Sequence, residues 1–170
     1  MTSPDRRPLV VVMGVSGSGK TTVGRALATA LDVPFADADR LHSRANIAKM
    51  SAGTPLDDDD RRPWLAAVAR WLVEHEVTGG VVACSALLRR YRDVLTASAP
   101  RAWFLYLRVD RDALAQRLQQ RRDHFMPAAL LDSQLALIEP PGADERSVTV
   151  DASAAPDSVV RQFLVRAGED

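Results

Sequence analysis

The octapeptide GVSGSGKT, residues 14–21, lies between an apolar, β-branched run (PLVVVMG) and a segment whose apolar residues fall at helical spacing, and this junction constrains the fold most. It matches G-x-x-x-x-G-K-[ST] at every fixed position, between the strand and the helix that give the motif its meaning. Glycines let the backbone curl so that successive N–H groups face phosphate oxygens, and the helix that follows adds its positive end. The candidate nucleotide contacts are Gly14, Val15, Ser16, Gly17, Ser18, Gly19, Lys20, Thr21 and Thr22. Lys20 would bridge the β and γ phosphates of ATP or GTP, and Thr21 would offer its hydroxyl to Mg²⁺.

Beyond that unit the pattern keeps alternating. VPFADAD, GGVVACSAL, AWFLYLRV and SVTVDAS read as further strands, and residues 41–50, 63–76, 110–122, 128–138 and 156–166, with LLRRYRDVLTAS, read as helices. The acidic run 57–60 opens the 63–76 helix by capping and dipole stabilisation rather than gathering on a metal, because four adjacent carboxylates cannot converge on one ion. Strands alternating with helices predict an α/β, three-layer P-loop NTPase fold, with a parallel sheet of about five strands flanked by helices and a short lid. No composition shift marks a boundary, so residues 1–170 are expected to form one P-loop domain, with an ordered core over 8–168 and a flexible 1–7.

Twenty-two basic residues balance twenty-two acidic ones. Such a chain has no general field for nucleic acid or anionic lipid, and neither partner is expected. Cys84 is the only cysteine, which excludes an internal disulfide and suits a reduced compartment such as the cytoplasm; it reads as a small buried hydrophobe. No stretch is long and apolar enough to suggest a membrane span or a secretory leader.

Ligands of open parallel sheets bind beyond the carboxyl ends of the strands, where Asp37 and Asp39 end the second strand. Strand alternation would aim both carboxylates the same way, one toward a metal's hydration shell and the other toward an attacking hydroxyl; capping by Asp39 is the alternative. On the helix that follows, His42, Asn46 and Lys49 share a face, with Arg44 beside it. Periodicity alone leaves open whether that face is a pocket or merely solvated.

GVSGSGKTT, DADRLHSRANIAKMSAGTPLDDDDRRPWL, CSALLRRYRD, HFMPAALLDSQLALIEP and ADER together resemble, in order, the segments of the gluconokinase family, small P-loop kinases similar in fold to shikimate kinase. The resemblance spans residues 10–150, and its most specific block is 42–65. It implies transfer of the ATP γ-phosphate to the 6-hydroxyl of D-gluconate, with Mg²⁺ as cofactor and a homodimeric assembly. The family reading makes Asp39 the base or hydroxyl-orienting group and places Asp37 on the metal through water. It makes His42, Arg44, Asn46 and Lys49 candidates for the sugar-acid pocket. Ala38 and Ser43 depart from the family's frequent Gly and Pro, so the start of the acceptor helix is expected to differ slightly.

A sugar acid needs a cation for its carboxylate and mixed donors and acceptors for its hydroxyls. Ser85, Arg90 and Arg92 follow the third strand, and the preferred carboxylate partner is Arg92, then Arg90. By similarity to related small-molecule kinases, Arg117 would stack on adenine and Pro156 would form the opposite wall, Pro156 being equally suited to the first helical position. Arg121, four residues beyond Arg117 on the same helix face, would meet the charge developing on the phosphoryl group, and a flap at 122–126 just after it would exclude water and carry His124 as a cap on either substrate. Gln134 is a candidate contact to the acceptor. A kinase of another polyol acid such as shikimate, or a nucleotide-binding regulatory module without catalysis, are the competing readings.

Overall fold

The computed structural model describes residues 6–120 and 128–168. Five parallel strands form one sheet in the order β2-β3-β1-β4-β5, with β1 Leu9–Met13, β2 Phe35–Asp37, β3 Gly80–Ala83, β4 Trp103–Arg108 and β5 Ser147–Asp151. The helices are α1 Lys20–Leu31, α2 Arg44–Ser51, α3 Asp58–Glu74, α4 Arg89–Ser98, α5 Arg111–Gln120, α6 Ala128–Leu137 and α7 Pro156–Ala167. A 3₁₀ turn, Ala38–Leu41, joins β2 to α2.

All five residues of β1 are fully buried because the sheet is covered on both faces. Leu9, Val11 and Met13 pack on one side with Val68, Leu72 and Leu95 of α3 and α4, and Val10 and Val12 pack on the other with Leu27 and Phe163 of α1 and α7. Chain order reverses direction across the sheet at β1, whose neighbours are β3 and β4. A crevice at the carboxyl end of β1 is therefore the natural place for a ligand.

The expected strands and most helix bounds agree with the structure to within a few residues, but α3 starts earlier than residue 63. A reciprocal capping box, in which Asp57 accepts from the Asp60 N–H and Asp60 from the Asp57 N–H, starts the helix at Asp58. Pro63 then lies inside the helix and leaves only the carbonyl of the exposed Asp59 without its usual partner. Residues 1–5 lie outside the described residues, whereas Arg7, expected to be flexible, donates to the carbonyl and the carboxylate of Asp32. Among the described residues no helix is long and apolar enough to cross a membrane.

Candidate active site

The loop after β1 takes the form its sequence requires. Gly19 has φ +96° at the head of α1, and Gly14 has φ +150° with room for no side chain, since a Cβ there would stand 2.8 Å from Ser18 Oγ and 3.0 Å from the Leu107 carbonyl. No side chain caps α1 and no acidic residue occupies its first turn, so its positive end is kept for an anion. The buried Ser18 Oγ has no protein partner. Lys20 Nζ donates to the carbonyls of Gly14 and Val15 at 2.9 and 3.0 Å, which holds the ammonium at the loop. These features fit a polyphosphate.

Thr21 Oγ1 and Asp37 Oδ2 lie 3.4 Å apart at the foot of the same loop. Two oxygen ligands of this kind suit Mg²⁺, which keeps several waters and is shared with substrate phosphates. Among the described residues no group of three or more His, Cys, Asp or Glu side chains gathers that could hold a metal, and the 57–60 run disperses as expected: Asp59 pairs with Arg62, and Asp60 with Lys49.

On the far side of the loop, Gly17, Ser18, Gly19 and Thr22 share a cleft with Arg117 and Pro156. Arg117 reaches it from α5, donating to the Ala152 carbonyl at 2.6 Å and the Ser18 carbonyl at 3.4 Å. Pro156 is the first residue of α7 and also lines this cleft. Arg121, His124 and the 122–126 flap lie outside the described residues.

A second cavity, of about 300 Å³, opens on the near side of the loop and is lined by Ser16, Lys20, Asp39, His42, Ser85 and Gln134, together with Arg61, Trp64 and Tyr91. Gln134 Oε1 accepts the Ser16 N–H at 2.8 Å, so α6 is tied directly to the phosphate loop. Strand alternation does not explain the two carboxylates: β2 ends at Asp37, and Asp39 is carried into the cavity by the 3₁₀ turn. Asp37 caps that turn by accepting the Asp39 N–H, and Ser43 caps α2, so neither cap is made by Asp39. Ser43, where the family often has Pro, thus gives α2 an ordinary N-cap. Trp64 Nε1 donates to the Ala38 carbonyl at 2.7 Å, pinning the peptide between the two carboxylates.

Several sequence expectations need correction. Asn46 and Lys49 share a face, but that face meets α3 and not the cavity. Asn46 is buried and donates to the Asp60 carbonyl at 2.8 Å, and Lys49 donates to both Asp60 carboxylate oxygens at 3.0 and 2.9 Å. The pair holds the Asp60 carboxyl below its ordinary value and the Lys49 ammonium above its own. Arg44 is exposed at the first turn of α2, away from the cavity wall, to which α2 contributes Ile47, Met50 and Ser51 instead.

Neither preferred arginine lines the cavity. Arg92 is wholly buried, with Nε and Nη2 bonding the two Glu145 carboxylate oxygens at 2.6 and 3.1 Å and Nη1 bonding the Ala86 carbonyl. Arg90 lies outside on α4 and forks onto Asp58 at 3.1 and 3.0 Å. Among the described residues the guanidinium that lines the cavity is Arg61, distinct from the Lys20 ammonium at the phosphate loop and masked in the sequence by the acidic run before it. Its Nη1 donates to the Leu56 carbonyl at 2.6 Å and the Tyr91 hydroxyl at 3.0 Å, and Tyr91 in turn donates to Asp58 at 2.6 Å. Burial and the Asp58 carboxylate push the Tyr91 phenol up, so it stays a donor. The signal that could have found Arg61 is its place inside the 42–65 block.

Cys84 is buried, as expected, and burial together with Asp39 pushes its thiol up to about 12, which makes it unreactive.

Residues 16–166 match the family model for shikimate kinase. The chain is 48% identical over 157 residues to a gluconokinase of Gluconobacter oxydans (strain 621H), covering 91% of this chain and 88% of that one. It is 44% identical to the thermosensitive gluconokinase of Escherichia coli (strain K12), covering 81% and 75%. The crystal structure of a gluconokinase from Sinorhizobium meliloti 1021 superposes with a TM-score of 0.86 at 48% identity, covering 94% and 90%.

Proposed function

The chain belongs to the gluconokinase family, and from that membership we propose that it transfers the γ-phosphoryl group of ATP to the 6-hydroxyl of D-gluconate, giving ADP and 6-phospho-D-gluconate for the pentose phosphate pathway. The observation that carries this reading is a single cavity that opens on the phosphate loop and holds both a carboxylate, Asp39, and a guanidinium, Arg61. A polyol acid needs both, one for the hydroxyl that attacks and one for the carboxylate that orients the molecule.

Asp39 orients the 6-hydroxyl and accepts its proton as the bond to phosphorus forms. Lys20 and the N–H groups at the head of α1 bear the negative charge of the phosphates. Thr21 would hold Mg²⁺ directly and Asp37 would hold it through water, and the ion would supply charge neutralisation of the phosphate oxygens. Arg117 and Pro156 form the two walls of the adenine cleft. Arg121 completes the reading as the cation for the transferred group, and His124 is a further candidate contact to the acceptor. Ser85 and Gln134 offer the cavity's polar groups to the sugar hydroxyls. One kinase domain over 1–170, a cytoplasmic location and a homodimer belong to the same proposal; light scattering should then give a mass twice the 18.5 kDa of the chain.

ADP release measured across gluconate, shikimate, glycerate and hexoses tests the acceptor. Gluconate should be turned over with the highest kcat/KM; strong turnover of another acid with none of gluconate refutes the reading. Arg61 has its own test. Arg61→Gln removes a charge-assisted pair to the acceptor carboxylate and should raise the gluconate KM by about tenfold to a hundredfold, with the ATP KM within about threefold. Equal rises in both would move Arg61 out of the acceptor site.

A further inference from the structure

His42 and Asn46 were grouped as two contacts to one ligand, but the geometry gives them consecutive roles. We propose that Asn46 is a positioning residue: its amide fixes His42 as the neutral tautomer protonated on Nε2, so that His42 presents a permanent N–H donor to a lone pair of the polyol acid. This rests on the reading of the cavity as the acceptor site and says how one of its walls recognises oxygen.

The assignment follows from what each atom can do. The Asp60 carbonyl can only accept, so the Asn46 atom 2.8 Å from it is the amide nitrogen. That nitrogen has a second hydrogen, and the other atom within reach is His42 Nδ1 at 3.3 Å. A bond there requires a lone pair on Nδ1, which leaves the proton of the neutral ring on Nε2. The ring cannot easily turn, because it stacks on Trp64 with centroids 4.3 Å apart and planes 10° from parallel, and Trp64 is itself anchored on the Ala38 carbonyl. Nδ1 is turned to Asn46, which does not line the cavity, and His42 does, so the Nε2 edge is the polar edge it gives the ligand.

The ring also resists protonation: burial, and then the charge of Arg61 on α3, push the His42 pKa down to about 4. The other titratable groups sharing its cavity are Lys20 from α1, Asp39 from the 3₁₀ turn and Tyr91 from α4. Asp60 shows the Asn46 amide its carbonyl, while its carboxylate is bonded by Lys49 and by the Asp57 N–H. A neutral imidazole held this way donates to a hydroxyl or carboxylate oxygen and takes no part in moving the proton, which stays the task of Asp39.

Long-range ¹H–¹⁵N correlation spectra of the unliganded full chain read the tautomer without any substrate, with His42 assigned among the three histidines by its loss in His42→Gln. The wild-type ring should show the Nε2–H pattern unchanged from about pH 8 to about pH 5, above its lowered pKa. An Nδ1–H pattern, or an imidazolium near neutral pH, overturns the proposal. In Asn46→Asp the new carboxylate accepts instead of donating, so the ring should gain a proton on Nδ1 and titrate near neutral pH, and the gluconate KM should rise about tenfold with kcat within about threefold. A tautomer that switches while KM stays put also overturns it. Should that variant fail to fold, His42→Ala should raise the gluconate KM by about tenfold and His42→Gln, whose amide N–H stands in for the imidazole donor, should recover most of that rise; equal rises contradict the account. If the tautomer is as stated and gluconate is not a substrate, the acceptor reading alone has failed, and the KM comparisons are made with the acid that is turned over.

Discussion

Asp39→Asn should lower kcat with gluconate by about 10²- to 10⁴-fold while ATP affinity stays within about threefold. Asn keeps the size of the side chain and one oxygen that can orient a hydroxyl, but it cannot take a proton. The capping roles that could have explained Asp39 as a structural residue are filled by Asp37 and Ser43, and Asp39 lines the cavity beside Lys20. The nucleotide side should be untouched, because the phosphate loop and the Arg117 cleft are built from other residues. Stopped-flow turnover together with equilibrium ATP binding separates the two terms. A rate near wild type would remove Asp39 from proton transfer.

Arg92→Ala should cost the fold about 3–5 kcal/mol, roughly 10 °C in Tm, and should not act mainly through gluconate KM. The deletion strips the buried Glu145 carboxylate of its two short bonds to the guanidinium and leaves it the Gly142 N–H and the longer 3.8 Å approach of Arg89; its side chain is 7% exposed, against 1% for Arg92. It also removes the donor to the Ala86 carbonyl, at a non-glycine residue held at φ +45° between Ser85 and Leu87 of the cavity wall. In the intact protein burial works against the charge on Glu145, but Arg92 and the Gly142 N–H outweigh it and hold the carboxyl below its ordinary value. A depressed carboxyl contributes stability that is present above the ordinary carboxylate range and is lost as pH falls through the folded pKa. Without Arg92 burial is opposed only by the Gly142 N–H and the more distant Arg89, so the deficit of the variant should be largest near about pH 7 and shrink as pH falls through the carboxylate range. Melting curves across that range check this. A large rise in gluconate KM with an unchanged Tm would return Arg92 to the substrate.

The contrast between Arg92 and β1 shows what was legible in the sequence. A run such as LVVVM, ended by a glycine turn, can be stable only where both faces are covered, so the central strand and the parallel sheet follow from local pattern. The phosphate loop is equally local, because its chemistry resides in one backbone curl and one lysine. The fate of a charged side chain on a helix is not local. Arg92 is buried because Glu145, 53 residues later, meets it. Periodicity placed Asn46 and Lys49 on one face of α2 but could not say that α3 meets that face, and His42 precedes the helix, as the extended residue that ends the 3₁₀ turn. Arg61 was overlooked for the converse reason: it follows four aspartates whose capping role, itself read correctly, explained the segment without it.

The central claim is that this cavity presents the 6-hydroxyl of gluconate to the phosphate loop. Incubation of the full chain with Mg²⁺, ATP and uniformly ¹³C-labelled gluconate, followed by ¹³C and ³¹P NMR of the product, reads the acceptor atom directly. The account predicts one phosphorylated product whose phosphorus couples to C6. Phosphorus on any other carbon, or ATP hydrolysed with the gluconate left unmodified, would contradict it.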